Sequence, residues 1–271
     1  MRECFNKYFF LDGSPLKCTE FPMSMVYSGE SVYEVIRIIK GKLLFLKDHL
    51  QRLRDTLKIR SKKINLSDRE IIKQVIALVN INKVDLGNIK LVFNFGEANE
   101  GISRFLVYFI EHHYPSDIQI KNGVKTILFE AERAFPNAKI INQHLRSTIF
   151  KKLLDTRAYE ALLVDKSGFI TEGSRSNVFF IKDNEIFTSP DRDVLSGIAR
   201  KYVLEIAKSN GIEVEFRKIS VSKIAVFSAV FITGTSPGVL PVSKIEDFRF
   251  DPQNELLLKI IKHYGRLTDT L

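Results

Sequence analysis

Lys139, Glu172 and two turns rich in small residues, Leu195-Ser196-Gly197-Ile198 and Gly234-Thr235-Ser236, are the residues whose types suit one kind of chemistry. A lysine attacks carbonyl compounds through its neutral amine, so it needs an apolar or cationic setting that lowers its pKa. Lys139 lies between Phe135-Pro136-Asn137-Ala138 and Ile140-Ile141, a setting that equally suits a lysine snorkelling at a strand end. A carboxylate facing the nitrogen of a pyridine ring keeps that nitrogen protonated and lets the ring accept electrons. Glu172, within Ile170-Thr171-Glu172-Gly173-Ser174-Arg175-Ser176-Asn177, suits that task. Backbone N–H groups at helix starts and turns hold phosphate. Ser196-Gly197-Ile198-Ala199 and Gly234-Thr235-Ser236 offer such groups, and Arg52 offers a charge-assisted contact. Taken singly, each has a plain reading as surface acid, helix cap, strand-to-helix turn or solvated arginine.

The 271 residues suffice for one large domain or two modest ones, and 45% apolar content with mixed charge indicates a soluble globular protein. No apolar run reaches the roughly 18 residues of a membrane span, and the start, Met1-Arg2-Glu3-Cys4-Phe5, lacks a secretory core, so the cytoplasm is expected. The net charge of +9 is spread thinly, with short clusters at Arg60-Ser61-Lys62-Lys63 and Lys151-Lys152, and no nucleic-acid partner is expected. It would attract anionic substrates and phosphate-bearing cofactors. Two cysteines, Cys4 and Cys18, have no disulfide-framework or zinc spacing and are expected as reduced thiols. No metal site is expected: His112 and His113 are neighbours in a polar linker and point apart.

The elements that must position these residues follow from periodicity. Val32 to Ile39 reads as a strand with Tyr33, Val35 and Arg37 on one face and Glu34, Ile36 and Ile38 on the other. Lys47 to Leu57 reads as an amphipathic helix, N-capped by Asp48, from which His49 and Arg52 project together. Ser67-Asp68-Arg69-Glu70 opens a second helix as a capping box. Strands Lys90 to Phe95 and Arg104 to Ile110 flank a loop that begins Gly96-Glu97-Ala98-Asn99-Glu100-Gly101. The second half is read as strand Val124 to Glu130, a helix from Arg146 to Ala158 and strand Ala161 to Val164. The hairpin about Lys182-Asp183-Asn184-Glu185 follows, then a helix from Ile198 to Ser209, a buried strand from Val226 to Thr233 and a last helix from Leu256 to Tyr264.

In order along the chain, Ser31-Val32-Tyr33-Glu34-Val35, His49-Leu50-Gln51-Arg52-Leu53, Lys139 with Asn142, Thr171-Glu172-Gly173-Ser174 with Ser176-Asn177, Leu195 to Arg200, and Gly234-Thr235-Ser236 through Pro241-Val242 form one ordered set. In this set the chain resembles the class IV, fold type IV aminotransferases that use pyridoxal 5'-phosphate. That group contains branched-chain and D-amino acid aminotransferases and 4-amino-4-deoxychorismate lyase. The resemblance implies a two-domain α/β (α+β) fold. Residues 1–115 would form a smaller N-terminal domain with the phosphate-binding Arg52, and residues 120–271 a larger one with the Schiff-base Lys139 and the cofactor cup. It implies that Arg52, the backbone around Gly197, Ile198 and Ala199, and Thr235 with Ser236 bind phosphate. Glu172 would pair with the ring nitrogen, Leu195 pack on the ring face and Asn177 support the ring hydroxyl. Ala199 stands where the family often has Thr, so a hydroxyl contact is lost there. A homodimer is implied as well.

The expected activity is transfer of an amino group between an amino acid, L and branched-chain-like, and a 2-oxo acid. Val35 lacks the hydroxyl that the lyase branch tends to carry nearby. The Arg and His pair of the D-amino acid branch is missing from Val92-Phe93-Asn94-Phe95. Tyr33, Arg37 and Asn94 are the substrate candidates, Arg37 for a carboxylate or else for a structural ion pair. The lyase, and a protein that keeps the fold without turnover, stay open as alternatives.

Overall fold

Alternation along Ser31–Ile39 sets the first layer: Val32, Glu34, Ile36 and Ile38 are buried, while Tyr33, Val35, Arg37 and Ile39 are half-buried. The computed structural model describes residues 3–96 and 104–270, so most of the loop expected after Gly96 lies outside the described residues. The chain forms two compact units, Met1–His113 with Ala138–Asn142, and Tyr114–Asn137 with Gln143–Leu271. The Lys139 segment, placed by the sequence reading in the second domain, thus packs with the first unit. The reason is pairing, described below with the site.

In the first unit, strands β1 (Phe5–Leu11), β2 (Ser14–Lys17), β3 (Ser31–Ile39), β4 (Lys42–Leu43), β5 (Leu86–Asn94) and β6 (Arg104–Ile110) form one sheet in the order β2-β1-β6-β5-β3-β4. Helices α1 (Met23–Tyr27), α2 (Leu46–Ile59) and α3 (Asp68–Asn82) complete the unit. Asp12-Gly13 and Lys40-Gly41 take positive φ at both positions, as tight two-residue hairpins require. Leu50, Leu53 and Leu57 of α2 and Ile71, Val75 and Leu78 of α3 pack on Val32, Ile36, Ile89, Leu91 and Phe93. Ser67 caps α3 with the expected reciprocal box to Glu70. For α2 the cap is Phe45, in the left-handed region, and Asp48 lies in the first turn instead. Cys4 and Cys18 are joined as a disulfide, which corrects the expectation of reduced thiols; the β1–β2 hairpin returns Cys18 toward the start of β1.

The second unit contains β7 (Val124–Glu130), β8 (Glu160–Val164), β9 (Phe169–Gly173), β10 (Asn177–Lys182), β11 (Glu185–Thr188), β12 (Val214–Phe216), β13 (Ile219–Ser220), β14 (Ala229–Gly234), β15 (Gly238–Ile245) and β16 (Phe248–Arg249). They form one sheet in the order β12-β11-β10-β14-β15-β7-β8-β9-β13, with β16 on β15. Its helices are α4 (Asp117–Asn122), α5 (Gln143–Thr156), α6 (Ile198–Ser209) and α7 (Glu255–Thr270). Val178, Phe180, Val230, Ile232 and Leu240 belong to one core. The alternate residues Asn177, Phe179, Phe231 and Thr233 therefore share the other face. Among the described residues no helix is long and apolar enough to cross a membrane.

Gly123, between α4 and β7, has φ +70°, and a Cβ there would stand 2.8 Å from the Ser243 backbone nitrogen of β15. Gly123→Ala should therefore lower the unfolding free energy by about 2 kcal/mol, the size of a forced backbone conformation, read from urea denaturation. A change within experimental error would show that the turn relaxes freely.

Candidate active site

Lys139 is seated on β3. Because β4 pairs only with Ile38 and Ile39, the other end of β3 has an open edge, and the Lys139 segment fills it. Tyr33 N–H donates to Lys139 O (3.0 Å), Ile141 N–H donates to Ser31 O (2.9 Å), and Val32 bridges Ile140. Lys139 N–H also reaches the buried Thr56 Oγ1 of α2, at 3.3 Å. With its backbone held at three points, Lys139 carries its Nζ 4.6 Å from the centre of the Tyr33 ring.

Behind this segment lies a buried charge group that the sequence reading did not identify. Glu34 is fully enclosed, and Arg52 grips it from Nε to Oε1 (2.8 Å) and from Nη2 to Oε2 (2.7 Å). His49 Nδ1 stands 2.8 Å from Oε2. Burial pushes the Glu34 carboxyl up, but the charge and hydrogen bonds of Arg52, with those of His49, outweigh it and bring the pKa down to about 2. For His49, burial lowers the pKa, Glu34 opposes, and the Arg52 and Lys139 charges add to the lowering. An ionised carboxylate only accepts, so neutral His49 is the donor. Arg52 and His49 do project together, as their spacing predicts, and their shared target is Glu34. Arg52 Nε and Nη2 both bind this one carboxylate.

Arg37 and Tyr33 share one face of β3, as strand parity predicts. Opposite them on β5 are Asn88 and Val92, and Lys90 lies opposite Val35. Asn94 does other work. Its Nδ2 donates to Ser28 O (2.6 Å) and Ser31 Oγ (2.9 Å), and its Oδ1 accepts from Gly96 N–H (3.1 Å). It is 4% exposed, and its amide holds the start of β3.

Glu172 belongs to the second unit. Glu172 is 3% exposed at the end of β9; Oε1 stands 2.8 Å from Arg133 Nε as an ion pair, and Oε2 accepts from Leu195 N–H (3.1 Å). Arg133 Nη2 also donates to Ser174 O, at 2.7 Å. Glu160 closes the turn from within: Ser174 Oγ (2.6 Å), Ser176 Oγ (3.1 Å), Arg175 N (3.2 Å) and its own neighbour's amide, Ala161 N (2.9 Å), all donate to it. Neither Arg133 nor Glu160 was found from sequence, since neither lies in the ordered motifs.

Asn177 acts on the loop before α6. Its Nδ2 donates to Leu195 O (2.9 Å), and a Cβ at Gly197 would collide with its Oδ1. Asn137 donates to Asp191 O and Val194 O, and Arg200 reaches Asp191 and Ser189 O, so the loop is held along its length. It delivers Gly197, Ile198 and Ala199 to the first turn of α6, whose N-cap Gly197 makes no side-chain cap bond. Thr235 and Ser236 lie in the three-residue turn closed by Gly234 and Gly238. Thr233 is 1% exposed, faces the same side as its cross-strand neighbour Asn177, and its Oγ1 has no hydrogen-bond partner among the described residues. An uncapped helix start beside a buried orphan hydroxyl suits a phosphate-bearing group, and the buried Glu172 suits a ring nitrogen.

The amino-transferase class IV family model matches residues 31–245, a span that contains every candidate above. A D-alanine aminotransferase of Bacillus licheniformis is 30% identical over 226 residues, covering 80% of this chain and 80% of its own. A probable branched-chain-amino-acid aminotransferase of Rickettsia typhi is 31% identical over 232 residues, covering 82% of this chain and 80% of its own. A T.th. branched-chain amino acid aminotransferase crystallised with pyridoxamine 5'-phosphate superposes with TM-score 0.85 at 24% identity, over 98% of this chain and 96% of its own, and so shares the fold.

Both folded-state pKa values of the buried group lie below the usual 6.5 of histidine and 4.5 of glutamate, so the stability they contribute is full at neutral pH. It is lost in two stages on acidification, first below pH 6.5 and then between 4.5 and about 2. Glu34→Gln should lower stability by about 3 kcal/mol at pH 7 and erase the lower stage in a pH series of urea unfolding; a wild-type curve level down to pH 4 would argue against this account. A second expectation is that Gly197→Ala weakens cofactor binding at least tenfold by fluorescence titration while Gly265→Ala, with open space at its Cβ, leaves it unchanged.

Fold, ordered residues and family match lead to one assignment: the chain belongs to the class IV aminotransferases, mixed α/β enzymes of fold type IV that depend on pyridoxal 5'-phosphate.

Proposed function

We propose that this enzyme exchanges the amino group of a small L-amino acid with a branched, apolar side chain for the oxygen of a 2-oxo acid, as a cytoplasmic homodimer. The observation that carries the reading is the seat of Lys139, annealed to β3 with its Nζ against the Tyr33 ring. Pyridoxal phosphate, when bound, supplies the electron sink for the pair left when the substrate Cα loses its proton.

Lys139 would hold the cofactor covalently and, once released, take the proton from Cα and return it in the opposite half-reaction. Tyr33 limits where that amine can swing. Arg52, the amides of Ile198 and Ala199, and Thr235 with Ser236 would take the phosphate, and Glu172 the ring nitrogen. Arg133 holds Glu172 from one side and the Leu195 amide from the other, so the carboxylate presents one orientation. Asn177 would serve by holding Leu195 and Gly197 in place. Arg37 would receive a substrate carboxylate.

Two features support transamination of an L-substrate. Val35, on the Tyr33 face, offers no hydroxyl with which to protonate a departing enolate, and β5 carries no Arg and His pair.

A panel of L- and D-amino acids with 2-oxoglutarate or pyruvate tests the reading. L-valine, L-leucine and L-isoleucine should convert the yellow cofactor form to the amine form, and Lys139→Ala should abolish both the conversion and the borohydride-sensitive band. Arg37→Ala should raise KM about tenfold or more for every accepted substrate, as loss of a charge-assisted contact does. Turnover of D-alanine alone would reverse the stereochemical reading, and release of 4-aminobenzoate from aminodeoxychorismate would replace it with the lyase.

A further inference from the structure

The face of β3 that carries Tyr33 contains a second lysine without a task in the proposed reaction. Lys90 on β5 is 1% exposed, and its register places it in a row with Val35 and Tyr108 across three strands. Its Nζ lies 5.3 Å from the Tyr33 ring centre, so it and Lys139 border the same aromatic ring. A buried ammonium needs a counter-charge, and the chain supplies one from its own beginning. Glu3 Oε1 stands 2.6 Å from Lys90 Nζ and accepts from Tyr108 OH (3.1 Å), while Oε2 accepts from Tyr27 OH (2.7 Å). The next residue, Cys4, is tied to Cys18, which anchors Glu3 at that position.

We propose that Glu3 is a specificity-determining residue: its carboxylate occupies the cation on the Tyr33 face and so biases the enzyme toward substrates with uncharged side chains. The proposal rests on the aminotransferase reading above. An apolar side chain reaching past Tyr33 would meet a neutral, hydrogen-bonded cluster. A side-chain carboxylate there would have to compete with Glu3 for Lys90 or accept repulsion from it. Discrimination of this kind comes from a charge set against the wrong partner rather than from added contacts to the right one. Glu3 touches Lys90, Tyr108 and Tyr27 and would act on the substrate through Lys90, as a positioning residue.

The test uses the full chain with cofactor bound. Glu3→Gln keeps most of the hydrogen bonding and removes the charge, so the ratio of kcat/KM for L-glutamate to that for L-leucine should rise about tenfold, chiefly through KM. Glutarate, titrated calorimetrically as a probe that does not react, should bind Glu3→Gln about tenfold more tightly than the wild type, and adding Lys90→Met should cancel the gain. Glu3→Asp, which keeps the charge, should retain wild-type preference and serves if Glu3→Gln folds poorly. Equal loss of activity toward both amino acids, with unchanged glutarate affinity, would overturn the proposal and leave Glu3 as a structural clamp. If wild type transaminates nothing, the aminotransferase reading fails on its own, while glutarate binding still decides whether Glu3 screens Lys90.

Discussion

A carboxylate cannot be enclosed on an apolar sheet face without a cation brought to meet it. Glu34 is enclosed between β3 and α2, and that requirement shapes the first unit. It fixes the rotation of α2, because Arg52 and His49 must both reach one carboxylate. It also fixes the parity of β3. With Glu34, Ile36 and Ile38 turned toward the helices, Tyr33, Val35 and Arg37 must turn away. A one-residue slip would bury Arg37 under α2 and expose Glu34, so the register that turns Tyr33, Val35 and Arg37 away from the helices is enforced by a pair on the opposite side. Thr56, one turn after Arg52, then takes the Lys139 amide, and Lys139 inherits its position from the same helix.

The second unit repeats the device at two places. Glu172 and Glu160 are both buried at the ends of strands, and both receive donors from loops rather than from neighbouring strands. Glu160 gathers two serine hydroxyls and a backbone amide of the turn after β9, and Glu172 takes the Leu195 amide with Arg133. Loops of small polar residues have little apolar surface to pack and would otherwise be mobile. A buried acid at the root of each loop gives its backbone donors a common target, at a cost in desolvation that several charge-assisted bonds offset. The rigidity is useful because cofactor contacts from turns are made by backbone groups, whose placement depends on the whole loop.

What could be read in the sequence divides along these lines. The α6 boundaries, the capping box at Ser67 and the hairpin at Asp183-Asn184 were legible because their determinants lie within a few residues. The expected α7 was too short because it stopped at Tyr264, before Gly265, whereas the helix runs through that glycine to Thr270, and the strand expected from Val226 begins at Ala229 after a 3-10 turn. Partners far apart in sequence were not legible. Glu34 did carry a signal, an acid in step with Ile36 and Ile38, followed on the next helix by two basic residues three apart. Arg133 and Glu160 carried none, since only the fold brings them to Glu172 and to Ser174-Arg175-Ser176. Lys139 was singled out by its motif, and its segment clusters with the first unit because five residues without a strand of their own take their allegiance from the edge they pair with. Asn94 was read for what the position lacks, an arginine and histidine pair, and its own amide had a local task.

The same division explains why the family is readable from this chain and the substrate is not. The proposed phosphate and ring contacts would come from turns and a helix start, where composition and spacing within ten residues determine the geometry. The proposed substrate contacts would come from a sheet face, where the neighbours of Tyr33 are chosen by the register of β3, β5 and β6. Val35, Lys90 and Tyr108 are consecutive across that face and dispersed along the chain. The charge presented there depends further on Glu3, contributed by a segment outside the span that matches the family model. On the specificity proposed for Glu3, a residue lying outside the shared motif would alter which side chains the face accepts and leave the proposed cofactor contacts as they are.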